Sequence, residues 1–250
     1  MAEKSVYSVY KTPGEMAEAF ADDISVLVRQ FTREKGRFNV ALSGGNTPRL
    51  LFKVLAYKYS DPGFWEKVHF YWVDERCVSP DDPESNYGMT RHLFLETIKA
   101  PDERVHRMKG EEDPVREAER YAHEIRKDTG DQTGMPLFDL IILGIGDDGH
   151  TASIFPDSLK LLDSENLCEV SVHPLTGQKR ITLTGKVINN ANNIVFLATG
   201  SNKAGIIAAI NDKKSDFLKY PAAHICPQHG SLKWYLDAEA GAMVSQAHSC

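Results

Sequence analysis

Residues 140–156 read LIILGIGDDGHTASIFP: an apolar run, glycines spaced G-x-G-x-x-G, and Asp147, Asp148 and His150 within the same short turn. Imidazole changes charge near neutral pH, so a histidine just beyond a strand end can take a proton from a reacting group. His150 is therefore a candidate general base, and Asp148, two residues earlier, is its neighbouring acid. The glycine spacing also matches a dinucleotide fingerprint, and Asp163 and Glu165 fall near the distance of its ribose-binding acid. Two features oppose that reading. Asp147 and Asp148 would face a pyrophosphate at close range, and Pro156 interrupts the helix that should follow. A tight turn with solvated aspartates is the non-chemical alternative; the chemical one gives the glycines the task of making room for a ligand and an attacking water.

Water is the expected nucleophile. No G-x-S-x-G elbow occurs: Ser43 lies in ALSGG, and Ser153 follows His150 without a strained strand-to-helix setting. Metal activation has little support, since H-E-x-x-H is missing and HICPQH (His224, Cys226, His229) lacks a partner cluster, so it reads as a turn and no metal site is expected.

A second constellation suits an anion. In SGGNTP, Ser43, Gly44, Gly45, Asn46 and Thr47 precede a helix; the glycines can expose N–H groups, Asn46 and Thr47 add side-chain donors, and the helix directs its positive end at the ligand. The loop lacks a Walker lysine, which argues against a nucleoside triphosphate. Arg76 in WVDER and Lys203 in TGSNKA follow two other strands, and together they can neutralise a phosphate monoester carrying about 1.5 to 2 negative charges. Arg180, opening RITLT, is a weaker candidate with a structural role as its alternative. Asp74 either orients Arg76 or contacts substrate hydroxyls.

Positioning these residues requires strands that end at one edge. Met16, Ala17, Phe20, Ile24, Leu27, Val28 and Phe31 recur at helical spacing, predicting a helix over 14–35. RFNVALSGG reads as a strand and TPRLLFKVLA as a helix capped by Thr47 with Pro48 at its first position. VHFYWVDE is a further strand, SNYGMTRHLFLETI a helix, and DPVREAERYAHEIRKDTG an exposed charged helix ending at Gly130. FDLIILGIG, RITLT and NNIVFLATG follow as strands, the last leading into a helix near SNKAGIIAAI. VSPDDPESN (78–86) is a turn-rich segment bordering the site, and DTGDQTGMP (128–136) a surface loop. Strands alternating with helices predict an α/β fold: a mainly parallel, Rossmann-like sheet with helices on both faces, in a single domain. Ligands of such sheets bind beyond the carboxyl ends of the strands, which selects SGGNTP, DERCVSP, GIGDDGHTAS and TGSNKA.

The chain has 250 residues and a formal net charge of -6, against the basic face of a nucleic-acid binder. No apolar run spans a bilayer, the stretch MAEKSVYSVYKTPGEM lacks a signal-peptide core, and Cys77, Cys168, Cys226 and Cys250 show no C-x-x-C pairing. A reducing cytoplasm is the expected compartment; oligomeric state is not legible.

ALSGGNTP, WVDERCVSPDDPESNYGM, LGIGDDGHTASIFP, RITLT and FLATGSNKA resemble, in order and over nearly the whole chain, the motifs of 6-phosphogluconolactonases. The resemblance implies a cytoplasmic enzyme that hydrolyses 6-phospho-D-glucono-1,5-lactone to 6-phosphogluconate in the oxidative pentose phosphate pathway, without a cofactor. It implies His150 as general base with Asp148 beside it, and SGGNTP, Arg76 and Lys203 around the phosphate. Asn46, where serine is common, and Asp157, where glycine often follows Phe-Pro, depart from the pattern. Glucosamine-6-phosphate deaminases share the D-G-H loop, but Phe155 stands here where they carry a glutamate, and VDER replaces an MDEY-like segment. A non-catalytic sugar-phosphate sensor on the same fold would keep the glycine loop and the cations without needing His150.

Overall fold

The computed structural model describes residues 6–130, 133–244 and 248–249. Its main sheet contains β1 (Val6–Tyr10), β2 (Phe38–Leu42), β3 (Val68–Trp72), β5 (Val105–His106), β6 (Leu140–Leu143), β9 (Asn193–Ala198), β10 (Ser231–Asp237) and β11 (His248–Ser249). The order is β11-β1-β10-β9-β6-β2-β3-β5, with every neighbouring pair parallel. Its strands are apolar on both faces because both are covered. Phe38, Val40 and Leu42 of β2, Leu140 and Ile142 of β6, and Val195 and Leu197 of β9 join one core cluster. The intervening Ala41, Ile141, Leu143, Ile194 and Phe196 join the other, as the two-residue period of a strand requires.

Helices α1 (Pro13–Lys35) and α2 (Asn46–Lys58) cover the first face. The predicted first helix is present over nearly the expected span: Thr12 accepts from the Glu15 N–H at 3.1 Å, Pro13 opens it, and Gly36 closes it in the left-handed region at φ 73°. Helix α2 starts differently from expectation. Gly45, at φ 102°, is its N-cap, so Thr47 lies inside the first turn and Pro48 is not the first residue. Thr47 makes a hydroxyl–hydroxyl bond of 2.9 Å with Thr199, tying the loop after β2 to the loop after β9.

The second face carries α4 (Pro114–Thr129), α5 (Gly185–Asn189), α6 (Ala204–Asn211) and a separate antiparallel sheet ordered β4 (Asp74–Arg76), β8 (Lys179–Leu183), β7 (Cys168–Val172). This small sheet corrects two readings. VHFYWVDE is not one strand, because after Val73 the chain leaves β3 and pairs with β8; and RITLT belongs to the outer sheet. Helix α4 is not a merely exposed charged helix either. Ala118, Tyr121 and Ile125, spaced three and four apart, are buried, and the Tyr121 hydroxyl accepts from the Trp72 N–H at 2.9 Å and donates to the Trp72 carbonyl at 3.0 Å. The segment read as one helix from Ser85 has Ser85 as its N-cap and is divided between α3 (Asn86–Thr90) and a wider turn over Arg91–Leu95. In 128–136, Gly130 and Pro136 form an isolated bridge, while Asp131 and Gln132 lie outside the described residues. No helix among the described residues is long and apolar enough to cross a membrane.

Candidate active site

All four loops selected by the strand-end rule meet in one cleft of about 440 Å³. The loop after β2 contributes Ser43 to Thr47, β4 contributes Asp74 and Arg76, the loop after β6 contributes Gly144 to Asp147 and His150, and the loop after β9 contributes Thr199, Asn202 and Lys203. Arg180 of β8 and Asn86 of α3 complete the wall.

His150 lines the cleft and its side chain is 27% exposed, so a ligand can reach the ring. Asp148 stands beside it and outside the lining. Its Oδ1 lies 2.6 Å from His150 Nδ1 and accepts the His150 backbone N–H at 3.0 Å. With Nδ1–H directed at the carboxylate, the neutral imidazole carries its free lone pair on Nε2. Gly146 makes this pairing possible. A Cβ at that position would fall 2.0 Å from His150 Nδ1 and 2.7 Å from Asp148 Oδ1, so the glycine makes room for the imidazole–carboxylate pair. Gly149 turns the chain at φ 80° with Tyr220 packed against it. Of the glycines of this turn, only Gly144 leaves open space above its backbone. The expected room for a ligand is thus partly taken up by the protein's own catalytic candidates. The dinucleotide reading fails as well, for Pro156 begins only a 3-10 segment, Pro156–Leu162, where a long helix would be needed.

Burial alone would raise the Asp148 pKa, but the bonds from the His150 ring and N–H outweigh it and hold the carboxyl down to about 2. A folded-state pKa below the unfolded one contributes stability above the unfolded value and loses it as pH falls through the folded value. Asp148→Asn is therefore expected to be less stable than wild type at pH 6, with the difference shrinking below pH ~4 and gone only below pH ~2. Urea melts of both proteins across that range measure it, and a difference independent of pH would contradict the pairing.

The anion candidates are also brought together, with altered partners. Ser43 is buried and its hydroxyl donates to the Ile142 carbonyl at 2.8 Å, fastening the glycine loop to β6. Gly45, Asn46 and Thr47 form the start of α2, whose first N–H groups have no intrahelical acceptor. Arg76 and Arg180 are cross-strand partners in the β4–β8 ladder. Like charges so placed destabilise a sheet, and among the described residues neither guanidinium has a carboxylate in ion-pairing range. Both Nε atoms are buried without a hydrogen-bond partner, while Arg76 Nη1 donates to the Glu84 carbonyl at 2.6 Å. Burial and then the charge of Arg76 lower the Arg180 pKa. Lys203 instead forms an ion pair with Asp147, which also accepts from the Asn202 amide at 2.7 Å.

Asp74 does not pair with Arg76. Its Oδ1 accepts from the Asn86 amide at 3.3 Å and its Oδ2 from the Ser153 hydroxyl at 2.7 Å. Asn86 and the buried Glu75 were not singled out in the sequence, Ser153 was weighed only as a nucleophile and not as a partner of Asp74, and Asp147 was not read as a partner of Lys203. An available signal was DER itself, where strand alternation must send one acid away from the cleft. In HICPQH, His224 closes the 3-10 segment Pro221–His224 and its Nε2 contacts the Leu218 carbonyl at 2.7 Å, while the Cys226 N–H beyond it donates to Asn189. The group with chelating spacing among the described residues is His106, Glu124 and Asp128, none of which lines the cleft.

The family described as glucosamine-6-phosphate isomerases/6-phosphogluconolactonase has a model that matches residues 11–234. The chain belongs to this family. Among individual members of the isomerase/6-phosphogluconolactonase family, a 6-phosphogluconolactonase of Aggregatibacter actinomycetemcomitans is 44% identical over 207 residues, covering 82% of this chain and 87% of that protein. The solved 6-phosphogluconolactonase of Trypanosoma brucei is 28% identical with a TM-score of 0.82, covering 96% of this chain and 98% of that one. A monomeric glucosamine-6-phosphate deaminase, 20% identical with a TM-score of 0.76 over 96% of this chain and all of its own, shares the fold. Within this family the fold alone therefore does not separate lactone hydrolysis from deamination, and the residues of the cleft must.

Proposed function

We propose that the protein is a 6-phosphogluconolactonase, hydrolysing 6-phospho-D-glucono-1,5-lactone to 6-phosphogluconate in the oxidative pentose phosphate pathway. The observation that carries the reading is a histidine paired with a carboxylate and facing the same cleft as two unneutralised guanidinium groups. High identity to lactonases over most of the chain supports it. Phe155, fully buried against the His150 ring at a centroid distance of 4.8 Å, offers no acid for a deaminase relay.

In this reading Arg76 and Arg180, with the N–H groups at the start of α2, bind the phosphate. Lys203 adds a third cation once its bond to Asp147 opens. The anchored sugar presents C1 to His150. Nε2 takes a proton from water, the hydroxide attacks C1, and the tetrahedral intermediate expels the ring oxygen, which receives the proton back from the imidazolium. Asp148 holds the ring and stabilises its protonated form. A δ-lactone is an activated ester, so general base catalysis of about 100- to 10,000-fold suffices. Asp74, with both oxygens already occupied, shapes the wall beside the sugar.

The decisive test adds freshly generated lactone and follows acid release above the spontaneous rate, with ammonia release from glucosamine 6-phosphate measured in parallel. Acid release without ammonia is expected. Ammonia release would reassign the protein to the deaminases, and silence in both assays would favour a sugar-phosphate sensor.

A further inference from the structure

Strand alternation sends Asp74 and Arg76 to the cleft and Glu75 away from it, into the protein. A carboxyl only 2% exposed is costly unless its oxygens are bonded. Here they are. Oε1 accepts the N–H groups of Arg76 and Asn86, both at 2.8 Å; Oε2 accepts the Tyr87 N–H at 2.8 Å and the Ser85 hydroxyl at 3.1 Å. One side chain thus clamps the end of β4 to the segment 85–87.

That clamp fixes Asn86, which reaches both halves of the cleft. Its amide donates to the Asp74 carbonyl at 2.9 Å and to Asp74 Oδ1. It also packs beneath the glycine loop, where a Cβ on Gly44 would lie 1.7 Å from Asn86 Oδ1. Asp74 in turn holds the hydroxyl of Ser153, three residues beyond His150, and the Ser153 N–H donates to the Thr182 hydroxyl at 3.2 Å. A continuous set of contacts therefore runs from Glu75 through Asn86 to the anion loop, and through Asp74 to the loop of the candidate base.

We infer that Glu75 is a positioning residue: through Asn86 it sets the spacing between the anion-binding loop and His150, and so the placement of C1 beneath the imidazole. It touches no substrate. This rests on the lactonase reading, since spacing between the two loops matters only if one anchors what the other attacks.

Glu75→Gln keeps size but turns an NH2 group toward backbone donors, so only one oxygen remains to accept. A displacement near 1 Å can cost about 100-fold in rate, and a loss of about 10- to 100-fold in kcat/KM is expected, with a smaller change in unfolding midpoint than in rate. Asn86→Ala leaves the Glu75 clamp on the backbone in place and should lose a similar factor. The double variant should be no worse than the poorer single one, because both act along one route. Losses that multiply would show that Glu75 acts through general stability, and wild-type kinetics in Asn86→Ala would break the route even if Glu75→Gln failed to fold. No lactone hydrolysis by the wild-type protein would sink the functional reading instead; an active wild type with indifferent variants sinks only the role of Glu75.

Discussion

His150→Asn is expected to retain at most about one-hundredth of the wild-type kcat on 6-phosphogluconolactone, with KM nearly unchanged. Asparagine keeps a polar group of similar reach but has no basic lone pair, so the anchored lactone still binds while water goes undeprotonated. The imidazole takes the proton only in the transition state, so its removal should depress kcat and kcat/KM equally. Steady-state rates corrected for spontaneous hydrolysis, on protein with a wild-type unfolding midpoint, measure this. A variant turning over at a third of the normal rate would place water activation on another group, and the Asp148 pair would then be only a device for closing the loop.

The contrast with the dinucleotide pattern shows what glycine spacing can and cannot reveal. G-x-G-x-x-G states that side chains are unwelcome at certain positions, but not what displaces them. At Gly146 the occupant is the imidazole four residues on, held by Asp148. At Gly44 it is Asn86, from an element far along the chain. A pattern that in one fold makes space for a pyrophosphate here accommodates the protein's own side chains.

The parallel sheet and the four loops at its carboxyl edge were legible because buried strands and amphipathic helices write their periods locally. The outer sheet was not, for a reason visible at Val73. The chain passes from β3 to β4 across that single buried residue, and nothing in VHFYWVDER marks a change of partner strand. The pairing of Arg76 with Arg180 depends on that sheet, so two cations that look unrelated in sequence become neighbours only when β4 meets β8. Lys203 and Asp147 were each seen, yet their pairing joins loops after different strands. Glu75 was the hardest to find. Acids in a strand are expected to face water, and the donors that make its burial tolerable come from 85–87, the start of a helix whose pattern does not say which strand it caps.

Arg76→Ala is expected to raise KM for the phosphorylated lactone, and the Kd of 6-phosphogluconate, by about 10- to 100-fold while kcat changes less than about threefold. The range follows from the ~1.5–3 kcal/mol carried by a hydrogen bond to a charged group, at about 1.4 kcal/mol per factor of ten. Phosphate charge does not change during lactone opening, so its ligands contribute uniform binding and appear in KM. Arg180 and the N–H groups at the start of α2 still face the anion in this variant, which moves the expected loss toward the lower end. Gluconate, which lacks the phosphate, supplies the control. Its weak binding should be the same in both proteins, and an equal loss of affinity for gluconate and 6-phosphogluconate would mean that Arg76 meets the sugar and that the phosphate lies with Lys203.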